Sequence, residues 1–236
     1  MRSDGRRSDA RGMDTPRNRT LVISALAAAL GPLVGNGLYD GPAAEDGQAL
    51  VEDLQGGLPT VAHVALTLEL LGLVAMSVLF ACLVARTFRT SPVAAVTTGI
   101  AAAAMLAVKV GSAGPVMVVH ATADEIDPAV AEALLDLNDM AFVVSGLLFC
   151  LAMAAAGVGL LTTSTPRLFG WSATVLGALG VAAGVVGVLD PDAYVPIPFL
   201  LLLLWLIALA LATAMRSDES PENPAIVTRR ETAPTQ

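Results

Sequence analysis

Cysteine, lysine, histidine and aromatic side chains are all scarce in this chain. Its 236 residues include two cysteines, one lysine, two histidines, two tyrosines, two tryptophans and six phenylalanines. Cys82 and Cys150 both fall inside apolar runs, and neither has a partner in an aqueous loop, which argues against a disulfide framework. Charge is short as well, at 14% of residues against roughly 25% in an average soluble domain. No phosphate-binding loop, nucleophile elbow, CxxC pair or zinc-protease motif occurs, so no cofactor or catalytic group is expected from motifs. The basic N-terminal segment is short and interleaved with acids, which leaves nucleic-acid binding without support.

What the chain has in abundance is apolar sequence. Hydrophobic residues make up 55% and the mean hydropathy is +0.71. A soluble fold of this length needs a polar outer layer and has no room to hide so much apolar surface. In a bilayer, lipid becomes the outer solvent, and each backbone N–H and C=O must be satisfied within its own segment. The apolar runs are long and lack strict alternation, so they read as helices rather than barrel strands.

Six spans are expected, at residues 20–38, 60–85, 92–119, 140–161, 170–189 and 196–215. All twelve arginines lie in the N-terminal tail, the two short loops after spans two and four, or the C-terminal tail. The other loops carry acids instead: Asp40, Glu45, Asp46, Glu52 and Asp53; Asp124 to Asp139; then Asp190 and Asp192. This alternation predicts an all-α polytopic bundle in the plasma membrane with both termini cytoplasmic. It divides into a disordered basic tail (1–19), a six-helix transmembrane domain (20–216) and a second disordered tail (217–236). Tyr39 and Tyr194 fall at the outer interface and Trp171 at the inner one, as an aromatic belt requires. A rival reading takes the first span as a signal peptide ending near Gly41-Pro42-Ala43-Ala44, but the apolar stretch is long for one and no clean small-x-small site follows. Gln48 to Leu54 and the stretch opened by Asp127-Pro128 are expected to add short helical structure outside the spans.

From Ala133 the sequence runs ALLDLNDMAF, an apolar span, STPRLFGWSATVLGALG, and a final PFLLLLLWLIALAL span ending in arginine. This order resembles uncharacterised six-span bacterial membrane proteins of the high-GC Gram-positive type, classed as a domain of unknown function. The elements that carry the resemblance are Leu137-Asn138-Asp139 and Pro166-Arg167-Leu168-Phe169-Gly170-Trp171. It implies a six-span topology and brings no activity, substrate or catalytic residue with it.

Two charged residues stand inside the spans, Glu69 in the second and Lys109 in the third. Each costs roughly 2.5–3.5 kcal/mol near the bilayer centre on insertion scales. Both lie about nine or ten residues below the outer ends of consecutive antiparallel spans, hence roughly 14–15 Å deep. They are expected to form an intramembrane ion pair. Side chains tilt toward their own helix N-terminus, so Glu69 leans outward and Lys109 inward, and contact is expected to need a shift or an intervening water. Ala62, Ala65, Gly72 and Met76 share a face with Glu69, a stripe suited to the bundle interior. Ser112 sits in the Gly111-Ser112-Ala113-Gly114-Pro115 break just beyond Lys109.

His63, His120, Asn36, Asn138 and Asp139 add to a polar outer half. The histidines and nearby acids leave divalent-metal or haem ligation open, although no ligand spacing supports it. Gly177, Gly180, Gly184 and Gly187 form a glycine face on the fifth span, suited to packing within the bundle. Three functional readings follow. One is a non-enzymatic structural or regulatory bundle held by Glu69–Lys109. The second is a small-solute or proton-coupled transporter or channel using the polar outer half. The third is a membrane metal or redox enzyme. Beyond the lipid bilayer, a small solute or a protein is the partner class left open.

Overall fold

The computed structural model describes residues 14–39, 47–55, 57 and 59–218. Seven α-helices follow in order: α1 (Asp14–Leu38), α2 (Gly47–Gln55), α3 (Thr60–Thr87), α4 (Pro92–Ala121), α5 (Pro128–Leu160), α6 (Arg167–Leu189) and α7 (Ile197–Asp218). A 3-10 turn, Pro191–Ala193, separates α6 from α7. No strand occurs among the described residues. All but α2 are long and apolar enough to cross a membrane, which makes six such helices. The residues expected to be disordered up to Met13 and from Glu219 onward lie outside the described residues, as does the Gly41-Pro42-Ala43-Ala44 stretch.

Consecutive long helices are neighbours, and α7 returns to α1, so the six close into a ring. The most extensive seams are α1–α3, α4–α5 and α5–α6, while α3–α4 and α6–α7 are sparser. α5 also reaches across to α3 and α7, and half of its apolar window is buried, the largest share of any span. The core gathers Ala25, Ala28 and Ala29 of α1, Leu79 and Leu83 of α3, Phe149 and Met153 of α5, and Leu202, Leu203 and Leu206 of α7. Outside it stand large apolar side chains such as Ile23, Val74, Val93, Ile100 and Leu168, all exposed. In water such a surface drives aggregation, whereas lipid solvates it.

The arginine-bearing turns meet at one end. The Thr162 hydroxyl donates to Thr90 Oγ1 at 2.8 Å, joining the α5–α6 turn to the α3–α4 turn. Toward the opposite, acidic end α5 is longer than a bilayer crossing requires. Its 33 residues span about 50 Å against a hydrocarbon core of roughly 30 Å. Asp127 caps its start by accepting from the Ala129 N–H at 2.9 Å, with Pro128 at the first helical position. Short α2 docks on its first turns, burying Leu50, Val51 and Leu54 with Val119, Ala123 and Ala131 in a second small core. A Cβ on Gly47 would collide with the Pro128 carbonyl, so the approach is possible only at glycine.

Two expectations are corrected. α1 begins at Asp14 rather than Thr20, so the last residues of the expected basic tail continue the first helix. The alanine- and leucine-rich span nucleates that helix, and extension adds one hydrogen bond per residue. Tyr194 turns inward instead of lying in an interfacial belt. Its ring packs edge-on to Phe142 at 6.2 Å and against Gly187, and its hydroxyl abuts Gly146. Those two glycines leave the gap that its ring fills, and burial pushes its phenol above the ordinary range. Trp171 is exposed, at the arginine-bearing end of α6.

The glycine face of α6 packs inside the bundle, against α5. A Cβ on Gly177 would lie 2.6 Å from the Cys150 carbonyl oxygen and from Ala154 N. Gly180 faces Cys150, Gly184 faces Leu147, and Gly187 faces Tyr194 and Val143. By contrast, Gly114 on α4 has open space around its Cβ position. Gly177→Ala is therefore expected to lose about 1–3 kcal/mol, because backbone must move. Gly114→Ala is expected to be neutral or to gain up to about 1 kcal/mol. Thermal unfolding of the two variants in detergent distinguishes these signs.

Candidate intramembrane polar site

Glu69 comes from the middle of α3. α1 lies close against it: a Cβ on Gly35 would come 3.7 Å from Glu69 Cβ, and one on Gly31 would come 2.7 Å from Gly72 Cα. This near-contact of backbones fixes the height and rotation of Glu69 from one side. Lys109 comes from α4 and is set from the other side by α5. Its Nζ stands 5.3 Å from the centroid of the Phe142 ring.

The two side chains meet directly. Lys109 Nζ lies 2.9 Å from Glu69 Oε1, an ion pair within the spans. No bridging water is needed between them. Both side chains are long enough to absorb the opposed tilts, and the attraction is strong where water is thin. The pair is not sealed: 23% of the Lys109 side chain and 20% of the Glu69 side chain remain exposed. Leu70 and Val110, the next residue on each helix, are exposed apolar groups, so the outer surface of the bundle begins beside the pair.

Ser112 joins through the backbone. It is buried, and its hydroxyl donates to the Lys109 carbonyl oxygen at 2.8 Å, a back-bond within its own helix turn. The remaining candidates do not converge on the pair. Asn36 is exposed at the end of α1, and Asp139 is exposed on α5. Asn138 donates weakly to Asp139 Oδ1 at 3.5 Å. His63 is exposed, and its Nδ1 lies 3.3 Å from the Pro59 carbonyl oxygen. His120 is half-buried, with its Nδ1 shut off from solvent and lacking a hydrogen-bond partner among the described residues. Among those residues no group of three or more His, Cys, Asp or Glu could hold a metal ion. Cys150 is buried as a free thiol.

Sequence reading missed the aromatic file behind the pair. Phe142 meets Phe199 edge-on at 6.1 Å, Phe199 meets Phe149 at 5.2 Å, and Phe149 meets Phe80 at 6.1 Å. Four of the six phenylalanines thus run from Lys109 into the core. The available signal was the spacing of Phe142 and Phe149, seven residues apart and so on one face of α5. At the arginine-bearing end a cavity of about 60 Å³ is lined by Asn18, Arg86, Thr165 and Thr213 among others. It is remote in sequence and depth from the ion pair.

Comparison of the chain with protein-family models, curated proteins and solved structures finds no match.

Phe142→Leu removes the ring face but keeps an apolar side chain. It is expected to cost about 1–2 kcal/mol in thermal unfolding. Part of that loss should vanish in a Lys109→Met background, where no cation faces the ring. An equal loss in both backgrounds would mean that the ring only fills space.

Proposed function

We propose that this chain is a non-enzymatic, multi-pass protein of the plasma membrane. Both termini lie in the cytoplasm, and the Glu69–Lys109 pair serves as a structural or regulatory clasp. The arginine distribution supports the orientation. The resemblance to uncharacterised six-span bacterial proteins is part of the same proposal. Leu137-Asn138-Asp139 sits where α5 enters its apolar stretch, and Arg167 to Trp171 form the first turns of α6.

The observation that carries the clasp is the pair's place between two groups of helices. Glu69 is held by α1 and α3, Lys109 by α4 and α5, and the α3–α4 seam between them is much thinner than the α1–α3 and α4–α5 seams that flank it. A direct charged contact across a poorly packed seam keeps the halves in register where apolar packing is thin. It also compensates two charges that are each costly in lipid.

A double-mutant cycle tests the clasp. Glu69→Gln and Lys109→Met are each expected to lower stability by about 1–3 kcal/mol, below the roughly 3–5 kcal/mol of a fully buried pair because both groups retain some exposure. The double variant should recover much of that loss. Additive or negligible single effects would remove the clasp. Orientation is checked separately by reporter fusions, with a C-terminal fluorescent protein expected to fold and a C-terminal periplasmic phosphatase expected to stay inactive.

The second reading, a small transporter or channel, draws on the residual exposure of the pair and on the Gly111–Pro115 segment beside it. It requires water to reach Glu69 from the acidic end. Ser112→Cys, in a chain lacking Cys82 and Cys150, is expected to resist a membrane-impermeant thiol reagent if the clasp is closed. Rapid labelling from outside would favour the pathway.

A further inference from the structure

We infer that Glu69 and Phe142 form a binding site for a lipophilic alkylammonium ion, and that Lys109 is its tethered resting occupant. A monocation inside a membrane needs a counter-charge and a surface that solvates it without water. A carboxylate and an aromatic face are the two side-chain groups that supply these. Both are in place around one point. The Lys109 ammonium lies 2.9 Å from Glu69 Oε1 and 5.3 Å from the Phe142 centroid.

The end of a lysine side chain is itself an alkylammonium ion, so the contacts it makes define the chemistry the site accepts. The site is also open on one side. About a fifth of each charged side chain is exposed, and Leu70 and Val110 flank the opening with apolar surface. A ligand with a short alkyl chain could place its head between Glu69 and Phe142 and its tail along this seam, toward lipid. The aromatic file behind Phe142 closes the other side, so the approach is lateral. The sparse α3–α4 packing means that displacing Lys109 requires little repacking of the seam. An arriving cation replaces Lys109 as the partner of Glu69, and Lys109 swings to the exposed side and releases its proton to water, so that the neutral amine leaves the net charge of the site unchanged.

The inference rests on the ion pair of the proposed clasp, but its readouts are binding and labelling rather than stability, so either can fail alone. The probe is hexyltrimethylammonium, with hexanol as the neutral control, on the full chain in detergent. Lys109→Ala empties the resting site, and calorimetry is expected to show saturable binding about tenfold tighter than to the native chain. Adding Glu69→Gln or Phe142→Leu to Lys109→Ala should abolish it. The native chain offers a second measurement that does not depend on any variant folding. Lys109 is the only lysine, so acylation of its peptide reports its release, read by mass spectrometry. The probe should speed that acylation several-fold and hexanol should not. Binding that survives loss of Glu69, absence of binding to a folded Lys109→Ala variant, or an acylation rate in the native chain unmoved by the probe overturns the proposal.

Discussion

Close approach of backbones is the constraint on which the rest of this molecule depends. Inside lipid no hydrophobic force draws helices together, because the solvent is as apolar as the side chains. Association then rests on packing, and packing is best where nothing larger than a hydrogen separates two backbones. Two seams are built this way. On α1 and α3, Gly31 and Gly72 meet, and Pro32 packs against Gly72. On α5 and α6, Gly157 and Gly170 lie against each other's backbones, and Gly177 rests on the Cys150 carbonyl. These seams make two stiff groups of helices, and the ring is completed by α7 returning to α1.

The polar chemistry appears where that device is missing. Along α3–α4 the glycines do not interlock: Gly111 and Gly114 look onto open space, and Gly99 reaches only a Val84 methyl at 3.6 Å. The one intramembrane ion pair among the described residues crosses this seam. Its partners are each positioned by a well-packed neighbour, Glu69 by the glycine contact with α1 and Lys109 by the face of Phe142. Well-packed flanks set the two charges opposite each other across a thinner seam.

The acidic end adds a further layer. α5 is longer than a bilayer crossing requires, and α2 covers part of its first turns with its own apolar residues. His120, next in sequence to Val119 of this second core, has an enclosed Nδ1 with no hydrogen-bond partner among the described residues. Packing at this end therefore joins the spans to the outer loops, while the arginine-bearing end is closed by short threonine-bonded turns.

Composition and periodicity by themselves determined the number of long apolar helices, their approximate ends and the equal placement of the two charges along consecutive helices. Those depend on local physics: backbone groups must bond within a helix, and charged residues mark the loops. The pairing of Glu69 with Lys109 was legible for the same reason, since consecutive antiparallel spans place equal depths side by side. Tertiary structure alone decided the rest. Which helix lies against which, the inward turn of Tyr194, the aromatic file from Lys109 to Phe80 and the scattering of His63, His120 and Asn36 all depend on helix rotation. Rotation is set by contacts between distant segments such as Gly31 with Gly72. An apolar helix gives little clue to it, because its lipid-facing and buried sides are built from the same residue types.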